Sequence, residues 1–168
     1  MSVALKVPAS AEVVTVARPV ARSCTVGLAK SCATFKWTAA HDHAWPEMNH
    51  GHVPFGAKVL VQMPRPQVRS EGGIEYSEET RSNIQARQQV GLIRAVGPLA
   101  FHKRDTLEPW PEGAWAEPGD FVRIPQFGGD RAFVPVPGAN DKALFVLLDD
   151  MHISAGIACD PLLIKAYV

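Results

Sequence analysis

Four histidines stand close together as two His-x-His pairs, His41 with His43 and His50 with His52. On an extended segment the side-chain period of two puts both imidazoles of such a pair on one face. Four imidazoles brought together can hold zinc or nickel. No cysteine and no evident folded element lies between the pairs, so the expectation is a polar, histidine-rich linker with no metal. Asp149-Asp150 is a second candidate, a carboxylate pair for acid–base work, although adjacent acids in a turn usually just solvate. His102 and His152 have no evident carboxylate to orient them. Gly-x-Ser-x-Gly, the phosphate-binding P-loop, His-Glu-x-x-His and Cys-x-x-Cys are all absent from the sequence. The expectation is a protein that is not an enzyme and uses no cofactor.

Composition narrows the class. A chain of 168 residues suits one domain plus extras. Its 14 prolines and 13 glycines favour a turn-rich β protein. Net charge is zero, so the chain as a whole carries no nucleic-acid footprint. Residues 1–40 hold five Lys and Arg against one acid, Glu12, and the remaining 12 Lys and Arg face 16 Asp and Glu. That is a basic arm on an acidic body, expected to be solvated; its composition also fits an organellar transit peptide. Cys24, Cys32 and Cys159 form an odd set without metal-type spacing, unlike a secreted disulfide framework. No apolar run approaches the roughly 20 residues of a membrane span. The expected setting is the cytoplasm, with a virion or an organelle matrix as alternatives.

The elements that must position any site are short strands. Residues 1–52 read as an N-terminal extension, with Val13-Val14-Thr15-Val16 as a short strand. From Val53 the pattern changes. Ala57–Gln62 predicts a half-buried strand, ended by Pro64 and Pro66. Residues 65–88 show almost no apolar periodicity and read as a long mobile loop. Val90–Val96, Phe121–Ile124, Ala132–Val136 and Ala143–Leu148 predict four more strands, with Pro135 placing the third of these at an edge or an irregular position. Residues 98–117 are a polar insertion holding Trp110 and Trp115, expected to pack as a small cluster. Residues 158–168 form an apolar tail. Five or six short strands and no convincing long helix predict an all-β, antiparallel small barrel, because closure removes exposed edges.

The order of several short signatures carries a resemblance. Pro54 precedes the strand Val59-Leu60-Val61; Gly72-Gly73-Ile74 lies in the loop; Gly91-Leu92-Ile93-Arg94-Ala95-Val96-Gly97 follows. Pro118-Gly119-Asp120-Phe121-Val122 comes next, and Leu144 to Ile153 closes the set with its acidic turn. In that order they resemble a divergent GroES-type co-chaperonin of the ten-kilodalton chaperonin family, over about 100 of the 168 residues. The resemblance implies a GroES-like irregular β-barrel at 53–157, with 65–88 as the mobile loop and 98–117 in the place of the roof hairpin. It implies a homo-oligomeric ring of seven, a heptamer, whose loops enter grooves on the apical domains of a GroEL-type chaperonin and so assist ATP-dependent protein folding. Gly72, Gly73, Ile74, Glu75 and Tyr76 are the implied chaperonin contacts. Family members usually carry three apolar residues after Gly-Gly, and here Glu75 interrupts them. Ile74 and Tyr76 share one face of an extended segment, so Glu75 must meet solvent or a basic partner.

The alternative is a structural protein, a phage capsid or decoration protein reusing the same barrel. A long N-terminal arm and the tail Pro161–Val168 suit lacing between subunits. Neither reading involves nucleic acid or a membrane.

Overall fold

The continuous apolar runs of β1 (Lys58–Gln62) and β5 (Lys142–Asp149) set the centre of the molecule. The computed structural model describes residues 35–70, 72–139 and 141–164. The expected Val13–Val16 strand, Cys24, Cys32 and most of the basic arm lie outside the described residues. Around the central pair run β2 (Val90–Val96), β3 (Phe121–Arg123), β4 (Asp130–Pro135) and β6 (Ala155–Gly156). Together they make one antiparallel six-stranded sheet in the order β4-β5-β1-β2-β3-β6. The fold is mostly β. Strand β4 is an edge, which is where Pro135 belongs because it has no N–H to give a second neighbour.

Alternation sends β1 and β5 side chains to two faces, and both are covered. On one face Val59, Val61, Ile93, Val122, Leu144, Val146 and Leu148 form the largest core cluster. Phe101 and Ala116, from the 98–117 insertion, close it, with Trp110 and Trp115 packed against its margin. Those tryptophans therefore join the main core. Phe101 meets Trp115 edge-on at 4.9 Å, and fixing these rings is what the insertion does for the sheet.

On the other face lie Leu60, Ala143 and Phe145, and beside them Val90, Leu92 and Phe121 under Ala44 and Trp45. Strand β1 is thus buried on both faces rather than half-buried. The cover comes from residues 35–52, a stretch the sequence assigns to an extension. It contains the short helix α1 (Ala39–Ala44).

A β-bulge ties this cover down. Leu60 pairs with Ala95 and Val61 with Ile93, so Arg94 is the extra residue. Its Nε donates to Gln62 Oε1 at 2.6 Å, and its Nη2 donates to the carbonyls of Trp45 and Pro46 at 3.1 Å. Burial pushes the Arg94 guanidinium down to about 10, and it remains protonated at neutral pH.

Close backbone approach explains Gly97. A Cβ there would sit 2.3 Å from Gly56 O and 2.9 Å from Lys58 O, both main-chain atoms. Gly97→Ala is expected to destabilise the fold by about 2 kcal/mol through overpacking. Urea unfolding would show it as a lowered midpoint with an unchanged slope.

Candidate functional site

The connection between β1 and β2 carries the residues singled out by the sequence. It leaves the sheet through Arg65, turns back on itself at 68–76, and returns as helix α2 (Glu78–Arg87). That helix corrects the reading of 65–88 as one long loop. Ser77 caps it by accepting from Thr80 N–H at 3.2 Å, Glu78 and Glu79 occupy its first turn, and Arg87 its last. It is polar nearly all round, with Gln85 its buried residue. Hydrophobic periodicity therefore could not reveal it; the cap and the charge order could.

Helix α2 is fastened to the sheet. Arg65 donates to Asp141 Oδ2 from Nη2 at 2.7 Å and from Nε at 3.2 Å, and Arg81 of α2 donates to the same oxygen. Arg131 of β4 donates to Ala86 O at 3.1 Å. Burial alone would raise the Asp141 carboxyl, but hydrogen bonds from Arg65, the Lys142 N–H and Arg81 outweigh it and hold the group below the usual carboxylate range.

Beyond this anchor the chain forms a two-stranded ribbon. Arg69 and Glu75 face each other across an antiparallel bridge. Ser70 N–H donates to Ile74 O at 2.9 Å and Tyr76 N–H to Val68 O at 3.0 Å. The turn closes with Gly73 N–H on Ser70 O at 2.9 Å and Ile74 N–H on Ser70 Oγ at 3.1 Å. Gly73 has φ 82°, a left-handed conformation that glycine adopts without the steric cost of a Cβ. Ile74 is 72% exposed at the turn and Tyr76 is half-buried. Glu75 accepts from Arg69 Nη2 at 2.7 Å and Nε at 3.0 Å. The basic partner that Glu75 needed is therefore six residues upstream in the same ribbon.

The histidines do not form one site. Among the described residues, no three of His, Cys, Asp and Glu come together as metal ligands. The linker reading is also corrected, because His41 is 1% exposed inside α1. Thr38 N–H donates to its Nδ1 at 3.1 Å, so the neutral ring carries its hydrogen on Nε2 and donates to Asp160 Oδ1 at 3.0 Å. Phe35 stacks on it at 5.2 Å, and Trp37 lies tilted against it at 5.1 Å. His41 thus ties the start of the described chain to its end.

His50 and His52 pack on Phe145. His52 N–H donates to His50 Nδ1 at 3.1 Å, and His52 Nδ1 donates to His50 O at 2.5 Å. The neutral His50 ring therefore keeps hydrogen on its remaining nitrogen, which leaves His52 alone offering a lone pair outward.

Burial, first of all, lowers the affinity of both His43 and His50 for a proton; Arg65 and Arg81 add to this at His43, and His52 and Arg94 at His50. A base whose folded value lies below its usual 6.5 binds protons better when unfolded. Stability is then complete above about pH 7 and falls as pH drops from 6.5 toward the folded values. Asp141 adds a second decline below its usual 3.8. Urea midpoints measured from pH 8 to 3 are expected to show both steps. His50→Gln should shrink the first and leave the part that belongs to His43.

The acidic turn is corrected as well. Asp149 is partly exposed and pairs with Lys58 at 3.3 Å. Asp150 is 0% exposed and accepts from the N–H of Phe101 at 2.5 Å and of Met151 at 2.7 Å, and from Arg104. It does not solvate; it holds the 98–104 segment.

No protein-family model matches this chain, and no match is found among curated proteins. Among the described residues, no helix is long and apolar enough to cross a membrane.

Proposed function

We propose that this chain is a GroES-type co-chaperonin, a binding protein and not an enzyme. In this reading the antiparallel sheet is the wall of a GroES-like barrel, copies assemble into a seven-membered ring, and the ring caps a GroEL-type chaperonin in the cytoplasm. The observation that carries the reading is Ile74, 72% exposed next to Gly72-Gly73 at the far turn of the β1–β2 connection. An apolar side chain displayed there, with little to pack against in its own chain, suits insertion into a partner's groove. One such grip is weak, and tethering several in a ring gives avidity without new contacts.

The test is co-sedimentation with a bacterial chaperonin, with and without ATP. Binding that requires nucleotide supports the co-chaperonin reading. A well-folded oligomer that binds no chaperonin under either condition points to the second reading, a phage virion structural protein. That reading is favoured by Phe55 and Phe127, 79% and 80% exposed outside the β1–β2 connection, which suit packing between subunits.

A further inference from the structure

Arg69 and Glu75 form the non-hydrogen-bonded pair of the 68–76 ribbon, since the bonds from Ser70 to Ile74 and from Tyr76 to Val68 flank them. Opposed residues in such a pair stand closest together, about 4.5 Å between Cα atoms, and their side chains share a face. Alternation then puts Val68, Ile74 and Tyr76 on the opposite face. Val68 is 44% exposed and lies outside the Gly72–Tyr76 stretch that the resemblance implies.

Resting on the co-chaperonin reading, we infer that the docking surface is the Val68–Ile74–Tyr76 face of a preformed ribbon, latched shut from behind by Arg69 and Glu75. Glu75, the residue that breaks the apolar tripeptide, is then a positioning residue. The latch neutralises both charges and keeps them off the front face, where Ser70 joins the three apolar residues and its Oγ accepts from the Ile74 N–H. The partner it fits is an apolar groove that accepts one face of a two-stranded ribbon, with Ile74 as the deepest anchor. Preorganisation removes part of the ordering cost that a disordered loop would meet on binding. Gly73 serves the same end, because the left-handed turn residue fixes the ribbon's register.

The experiment uses the full chain and has two readouts. Amide exchange in the free protein reads the latch, at the Ser70 and Tyr76 N–H groups. ATP-dependent capping of a bacterial chaperonin reads the docking. Arg69→Ala is expected to speed exchange at both amides and to weaken each grip about two-fold, the scale of an exposed ion pair. Across seven tethered ribbons that compounds to roughly 100-fold in capping. The charge-swapped Arg69→Glu/Glu75→Arg protein should recover both properties. Val68→Asp should weaken capping with exchange unchanged.

Unchanged exchange in Arg69→Ala, or a swapped protein that recovers neither property, would overturn the latch. Normal capping by Val68→Asp would overturn the three-residue face. These failures differ from failure of the functional reading, in which Ile74→Asp caps normally or the unsubstituted chain never caps. The exchange measurements decide the latch even then.

Discussion

Asp150→Ala is expected to cost about 3 kcal/mol of folding stability, the scale of stripping a buried polar cluster of its charged partner. The carboxylate is wholly buried and gathers the N–H groups of Phe101 and Met151 and the Arg104 guanidinium. Phe101 is itself 2% exposed, so its N–H has no water to turn to. Its φ of 62° is a left-handed conformation that a bulky residue adopts only when its surroundings impose it. Removing Asp150 breaks the hydrogen bonds that hold this backbone and loosens the Phe101–Trp115 contact that closes the main core, a loss that relief of the strain offsets only in part. Asp150→Asn keeps an acceptor without the charge and should lose about half as much. Asp149→Ala is the control; its pair with Lys58 is solvent-screened, and the change should stay within about 0.5 kcal/mol. Urea unfolding of the three variants decides the matter. Equal losses at 149 and 150 would show that the buried acid does not hold the insertion.

If the chain is the co-chaperonin proposed above, Ile74→Asp is expected to abolish chaperonin capping while leaving fold and oligomer intact. Ile74 touches little of its own chain, so stability should move by no more than about 0.5 kcal/mol. In the partner's apolar groove the new carboxylate would have to shed water, at about 2 kcal/mol or more for each grip. Avidity turns that local loss into failure of the whole ring, because every tethered grip is weakened at once. Co-sedimentation with chaperonin and ATP reads the capping, and light scattering reads the oligomer mass. Loss of the oligomer would make the ribbon a structural contact between subunits. Intact capping would move the docking surface elsewhere.

The sheet was legible in the sequence because a short apolar run bounded by turn residues is a local property. Residues 58–62, 90–96, 121–123, 130–135 and 142–149 fall where β-branched and apolar residues cluster between turn signals. The edge position of β4 was written in Pro135 for an equally local reason, a missing N–H. Helix α2 was not legible through periodicity, since its residues are polar on nearly every face. What holds it is Asp141, 60 residues beyond Arg81.

The same division runs through the candidate site. The residue types, Gly72-Gly73 before Ile74, are in the sequence, and so is the interruption at Glu75. That Arg69 answers Glu75, and that Val68 joins Ile74 on the other face, depends on a register set by hydrogen bonds across a turn. Residues 35–52 read as an extension because Trp45, Ala44 and His41 show no period that matches a strand or a long helix. Their burial depends on a bulge at Arg94 that turns its guanidinium onto the carbonyls of Trp45 and Pro46. The sequence by itself determined the strands, their turns and the place of an isoleucine after two glycines, because these follow from backbone preference and local apolar runs. Only the tertiary structure decided which face each strand buries, what covers the second face, and whether Asp150 and His41 meet water or protein, because those outcomes rest on partners tens of residues away.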